Sequence, residues 1–406
     1  MNGIIFTDLT ALSDKFGCFK SDLVDLMERF IRGKERFGVH YRLVDISDYK
    51  NEIEDCRDIL MDIHRKEVEQ GLPVSDYLFI IGANDIVPVP CVDYYVPGQT
   101  DKHIDTDILY AYPQCRDAEA LLKSGKLFEE EALFHVGRLP IGEDVLDSEV
   151  SEIEDIVIYL QKSMNFTEGI PMTKAYAQVD SRWKAVSEQV VAGLSARGFL
   201  PDGLTESPAV NAENLNDVFP ADASLYYYNL RSSHEWEKSG YAARTSSGDD
   251  EEVIGTMYHM GCRNPNVIIS EGSYGARFID LEKENSMVLS AVYARTLLFY
   301  GASRTTWGSE EEPVCADLFA RSVIDALLEG YTAGQALLIA RASLLASERV
   351  SWEYVLTTLT EFNLLGDPTL YLRCGASAGE LQLDSLKMFP AAAYTDQVKL
   401  TDKTSR

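Results

Sequence analysis

The stretch NVIISEGSYGARF, residues 266–278, holds the side chain with the strongest claim to covalent chemistry. Val267, Ile268 and Ile269 are three consecutive β-branched residues suited to a buried strand, and the Ser-Glu-Gly-Ser-Tyr-Gly run after them cannot extend it. Reactive groups of α/β sheets sit at the carboxyl ends of strands, and Gly272 and Gly275 leave room for Ser273 to project from the turn. Such a group acts as a nucleophile when an imidazole takes its proton and N–H donors receive the oxyanion. Of the histidines at 40, 64, 103, 135, 234 and 259, only His234 follows an apolar, aromatic run at its carboxyl end, Leu225-Tyr-Tyr-Tyr-Asn-Leu. It lies 39 residues ahead of Ser273. His135 falls inside a strand, and the others fall in helical or surface contexts. Ser273 with His234 would serve acyl transfer; the plainer alternative is a glycine-rich strand-to-helix connection without chemistry.

The surrounding periodicity supplies elements to position these two residues. Strands are predicted at 3–7, 39–46 and 77–81, with helices at 21–37 and 51–70 between them. This alternation implies a parallel sheet with crossover helices. A helix over 149–162 leaves that unit. A second unit has strands at 174–179, 224–230, 267–270 and 297–303, and helices at 183–197, 323–329, 333–347 and 352–360. The expected fold class is therefore α/β with two adjacent parallel-sheet units, over residues 1–148 and 149–374. Residues 375–406 read as a tail or added strand. The polar runs 231–252 and 309–313 read as solvated loops.

Composition narrows the function classes. The chain has 406 residues, 46% of them apolar, and a formal net charge of −28. That length suits two or three units of roughly 100–200 residues. The acidic balance argues against nucleic acid and anionic membrane as partners, because phosphate-binding faces concentrate Lys and Arg. No apolar run reaches the ~20 residues that span a bilayer. Seven scattered cysteines without a CxxC pair read as reduced thiols, and the amino terminus shows no secretory signal. The expected location is cytoplasmic, or secreted where a signal or propeptide has been removed.

A strand, small residues, a nucleophile, one further residue and Gly, with a histidine at an earlier strand end, resembles the caspase-fold cysteine peptidases and most closely the gingipain family. DYLFIIGANDIVPVP (76–90), TDILYAY (106–112), LFHVGRLP (133–140) and EFNLLGDPTLYL (361–372) resemble that family's markers in its order, so the likeness covers nearly the whole chain. It implies a caspase-like second unit and a cysteine endopeptidase with its Cys/His dyad at Ser273 and His234. It further implies that Asp107, with Asp105 as the near alternative, orients His234. The backbone N–H groups of Ser273 and Glu235 would receive the oxyanion. Family members usually have Gly on both sides of the histidine, where RSSHEW has Ser233 and Glu235; the Glu235 side chain would narrow the cleft. By spacing from Gly137, Glu129 matches the acidic residue that binds a basic P1 side chain, with Glu130 and Glu131 adjacent. Trp307 resembles the aromatic wall of that pocket, and Ser303, in FYGASRTT, belongs to the same substrate-binding set. Against these stand turn-capping roles for Asp105 and Asp107 and a solvated loop edge for Glu129.

Serine at 273 leaves three readings open: a Cys-to-Ser inactive form of such a peptidase, a catalytically silent pseudoprotease that holds a peptide or partner, and a working serine nucleophile. The implied partners are a peptide or protein substrate with basic residues and a regulatory protein. No cofactor is implied; calcium is a possible structural ion by analogy with relatives, although no 12-residue ligand pattern is present. Cleavage after basic residues would also make Lys123, Lys126, Arg231, Lys238 and Arg244 candidate self-processing sites.

Overall fold

The computed structural model describes residues 1–49, 52–93, 96, 99, 102–140, 152–232, 240–347, 349–375 and 400–403. Strands β1 (Asn2–Thr7), β2 (His40–Asp45), β3 (Tyr77–Ile81) and β4 (His135–Leu139) alternate with helices that include Lys20–Glu35 and Ile53–Gln70. After the helix Glu152–Asn165 come β5 (Ala175–Asp180), β6 (Thr205–Ser207), β7 (Leu225–Asn229), β8 (Asn266–Ser270) and β9 (Thr296–Ala302). Strand β10 (Phe362–Gly366) follows the last helices. All ten join in one sheet, in the order β2-β1-β3-β4-β10-β9-β8-β7-β5-β6. Every neighbouring pair is parallel except β9 with β10.

The two expected parallel units are thus the two halves of a single sheet, and β10 fuses them. That strand follows helix Trp352–Glu361 without a break, so the run FNLLG carried no periodicity of its own. The central strands read as continuous apolar runs because both faces are covered, and YLFII, NVIIS and TLLFYGA are buried at every position.

The GDPTL turn after β10 locks the halves together through Asp367. Its carboxylate pairs with Lys34 Nζ at 2.7 Å, with both side chains fully buried. It also accepts hydrogen bonds from Tyr41 Oη (2.7 Å), Ser163 Oγ (2.6 Å) and Thr369 Oγ1 (2.7 Å). Burial opposes the charge of Asp367, but Lys34 and the hydroxyls more than offset it and hold the carboxyl below its ordinary range.

The polar run 231–252 is only partly a solvated loop. Tyr241–Arg244 and Asp250–Ile254 form an antiparallel hairpin. Arg231 is buried against Asp250 at 3.1 Å. Ion pairing accounts for Arg231, Arg244 and Asp250, whereas Asp249 and Glu252 are exposed. The 183–197 segment is also not one helix. It is a 3-10 turn at Ser181–Trp183 followed by short helices Lys184–Val190 and Ala192–Ala196.

His259 is buried among Phe219, Tyr226 and Tyr228, with ring centroids 5.3–5.9 Å away. Burial pushes its pKa down from 6.5 to about 3. The folded chain therefore refuses a proton that the unfolded chain accepts below pH 6.5. Stability is fully present above that pH and falls by about 1.4 kcal/mol per pH unit as acid is added, until the folded imidazole also titrates. His135, held down to about 4 by burial, adds to the slope in the same window, so His259→Phe should reduce the pH dependence of urea unfolding midpoints without abolishing it; an unchanged slope would remove His259 as a source.

All seven cysteines are free. Among the described residues, no helix is long and apolar enough to cross a membrane, and no cluster of His, Cys, Asp and Glu is arranged to hold a metal.

Candidate active site

β8 ends at Ser270, and the chain turns through Glu271, Gly272, Ser273 and Tyr274. The two glycines are required by space. A Cβ on Gly272 would lie 2.9 Å from the Tyr241 ring, and one on Gly275 would lie 2.8 Å from Ser270 Oγ. The left-handed backbone falls instead on Tyr274, at φ 59°, a conformation uncommon for a residue with a Cβ. Tyr274 is held by its N–H to the Arg304 carbonyl (3.0 Å) and by its hydroxyl near Thr305 Oγ1 (3.2 Å).

Ser273 is fully buried. Its Oγ accepts the Thr306 N–H at 3.0 Å and sits 3.3 Å from Thr306 Oγ1, which donates to the Glu271 carbonyl at 2.6 Å. An N–H aimed at Oγ favours negative charge there, as a nucleophile needs. His234 and Glu235, expected as base and oxyanion donor, lie outside the described residues.

Beside Ser273 lies a buried acidic pocket. Glu271 comes from the same turn and Asp317 from the first turn of helix Ala316–Leu328; both are fully buried. Tyr227 Oη donates to Glu271 Oε1 at 2.5 Å, and the Ser309 N–H donates to Asp317 Oδ2 at 2.8 Å. The ammonium of Lys403 fills the space between them. It contacts Glu271 Oε2 and lies 2.7 Å from Asp317 Oδ1. The Trp183 ring centroid is 5.3 Å from Nζ, and Gly308 permits the approach, since a Cβ there would meet Lys403 Cε at 2.5 Å. One ammonium between two carboxylates leaves a negative charge in excess. Burial raises the Glu271 carboxyl above its ordinary range, with Lys403 pulling the other way and Asp317 pushing it further up. Burial also opposes the Lys403 charge, but Asp317 and Glu271 more than offset it and raise that pKa.

The backbone around Lys403 is tied to the nucleophile turn. Thr401–Asp402 pairs antiparallel with Trp307–Gly308. The Lys403 N–H donates to the Thr306 carbonyl (3.1 Å), and its own carbonyl accepts the Ser232 N–H (3.2 Å). Trp183 Nε1 donates to Thr401 Oγ1 at 3.2 Å.

Trp307 thus stands beside the pocket, packed edge-on against Tyr354 at 5.0 Å, while other expected residues lie elsewhere. Glu129 is solvent-exposed at the end of the 3-10 turn Lys126–Glu129, whereas the carboxylates paired with Lys403 are Glu271 and Asp317. Both Asp107 oxygens accept from Arg138, the arginine of the GRL motif, at 2.7–3.1 Å. Arg138 also donates to the carbonyls of Gly82 and Val87, at 2.7 and 2.9 Å. Asp105 pairs with Arg304 at 2.8 Å. Ser303 donates to the Asp105 carbonyl at 2.8 Å and, with Asp105, Asp107, Phe278 and Asn363, lines a separate cavity of about 10 Å³. That volume is about one water molecule's worth, not a side-chain pocket.

Sequence reasoning passed over Glu271, Asp317, Thr306, Ser232, Trp183 and Lys403. One signal was present: a glutamate two residues before Ser273, just after the apolar run of Val267, Ile268 and Ile269, where a charge needs a partner.

The sequence profile of peptidase family C25 matches residues 13–373. No curated protein matches the chain. Among solved structures, the complex of pro- and mature domains of RgpB from Porphyromonas gingivalis is similar at 14% identity, over 92% of this chain and 80% of that one, with a TM-score of 0.61. The Arg-specific cysteine proteinase gingipain R is similar at 14% identity, over 92% and 78%, with a TM-score of 0.61. A structure described as a protease is similar at 10% identity, over 92% and 78%, again with a TM-score of 0.61. At these identities the likeness shows the fold.

Proposed function

The chain belongs to peptidase family C25, a family of cysteine peptidases, and from that premise we propose that its cleft selects a lysine at P1 and presents the following peptide bond to residue 273. Ser273 stands where the family's thiol stands, and His234 is its base. The observation that carries the reading is the buried Glu271–Asp317 pair beside Ser273, facing a lysine ammonium. In this reading Glu271 and Asp317 take the role that the family resemblance implied for Glu129. Two carboxylates converging on one nitrogen suit the compact ammonium of lysine better than the planar guanidinium of arginine, which wants a carboxylate edge. Substrates are accordingly peptides or proteins with an accessible lysine.

In the Ser273→Cys background, Asp317→Asn is expected to lower kcat/KM for lysyl peptides by about 2–5 kcal/mol, thirtyfold or more. Peptides with norleucine at P1 should lose far less, and a panel of fluorogenic peptides makes the comparison. An equal loss on both would mean that the pocket does not set specificity. A serine hydroxyl held by Thr306 also fits a catalytically silent peptide-binding cleft, and the cysteine variant separates the two.

A further inference from the structure

We propose that residues 400–403, Leu-Thr-Asp-Lys, are the chain's own substrate strand, bound in the cleft with Lys403 as P1, so that the peptide bond on the carboxyl side of Lys403 is a self-cleavage site. The proposal rests on the reading of residue 273 as the nucleophile position. It goes beyond that reading by naming a cis-bound substrate and the bond it exposes.

The segment makes the contacts of an extended peptide added to a strand edge. Asp402 and Thr401 pair antiparallel with Trp307 and Gly308. Thr306 joins this strand to the nucleophile: its N–H reaches Ser273 Oγ at 3.0 Å, while its carbonyl accepts the Lys403 N–H at 3.1 Å. The Lys403 carbonyl is fixed by the Ser232 N–H at 3.2 Å. Asp402 faces the buried Arg231, whose charge burial opposes and Asp250 and Asp402 support. The lysine is buried between Glu271 and Asp317.

Lys34 with Asp367 shows that a buried pair can staple this fold; what sets Lys403 apart is that its backbone is tied to the strand that holds Ser273. Taking three ionisable side chains out of water is costly, and apolar residues of similar volume commonly serve as well or better. A pocket built to recognise an ammonium needs those charges. Arg231, one of the basic residues considered for self-processing, is itself buried and paired with Asp250, so it is not offered to the cleft.

The chemistry is hydrolysis. The nucleophile at 273 bonds to the Lys403 carbonyl carbon and its proton passes to the base; the C–N bond then breaks and that proton goes to the departing amine. Water next cleaves the acyl-enzyme, leaving Lys403 with a carboxylate and residue 273 restored.

A tethered strand competes at an effective concentration on the order of millimolar, so freeing the pocket should change binding in trans. Labelled Leu-Thr-Asp-Lys amide is titrated against the unsubstituted chain, Lys403→Met and Lys403→Ala, with fluorescence anisotropy as the readout. Methionine keeps the packing of the stem, and circular dichroism checks the fold of each variant. The expected result is at least tenfold tighter binding to both variants than to the unsubstituted chain. In the Ser273→Cys background, intact mass should show loss of everything after Lys403, and Lys403→Met should abolish that cut. Equal binding to folded variants and unsubstituted chain, or a Ser273→Cys protein that cleaves lysyl peptides in trans yet keeps its own bond, overturns the proposal and leaves the peptidase reading standing. No hydrolysis in trans by any variant, with binding still strengthened at least tenfold, sinks the peptidase reading and the self-cleavage site with it, keeping only the docked strand.

Discussion

Replacing Ser273 with cysteine is expected to produce a measurable lysyl peptidase, with kcat/KM for a Lys-terminated fluorogenic peptide at least about a hundredfold above that of the serine form, or roughly 2.7 kcal/mol of barrier. The free thiol has a pKa of about 8.5 and is partly ionised near pH 7, whereas a hydroxyl needs its proton removed during attack. The site already favours charge on that atom, because the Thr306 N–H points at Oγ. The assay is best run under reducing conditions with Lys403→Met also present, so that the chain's own strand leaves the cleft. Adding His234→Ala should then cost about 10²–10⁴-fold, the usual contribution of a general acid–base group. A folded cysteine variant that binds lysyl peptides and hydrolyses none would identify the cleft as a binding module.

The largest stability effect is expected at Asp367. Lys34 and Asp367 are both wholly buried, and the same carboxylate accepts from Tyr41, Ser163 and Thr369. Asp367→Ala strands a buried ammonium and three hydroxyls, a loss of about 3–5 kcal/mol. Burial already lowers the Lys34 pKa, with Asp367 as its opposing support, so the variant should release that proton and unfold at markedly lower urea. Pairing Asp367→Ala with Lys34→Met should recover part of the loss, because the coupling belongs to the pair. Additive losses in the double variant would mean that the two side chains act independently.

Much of the scaffold was legible because its cause is local. Tyr77–Ile81, Asn266–Ser270 and Thr296–Ala302 lie within a residue or two of their expected places, since a strand covered on both faces has an apolar run at its centre. The break at Ser273 was legible for the same reason, from glycines that cannot continue a strand. β10 was not, because FNLLG follows directly on a helix and acquires its role by filling the gap between β4 and β9. Asp107 shows the limit at the site. Its place near the start of a motif was visible, but its carboxylate is committed to Arg138, and nothing in the spacing between them says so.

By itself the sequence determined the alternation of strands and helices, the turn that carries Ser273 and the acidic balance of the whole, because each depends on neighbouring residues or on a sum over all of them. Only the tertiary structure decided which charges meet. Trp183, Glu271, Asp317 and Lys403 come from four distant stretches, and a buried ammonium is tolerable only where the folded chain brings its carboxylates to it.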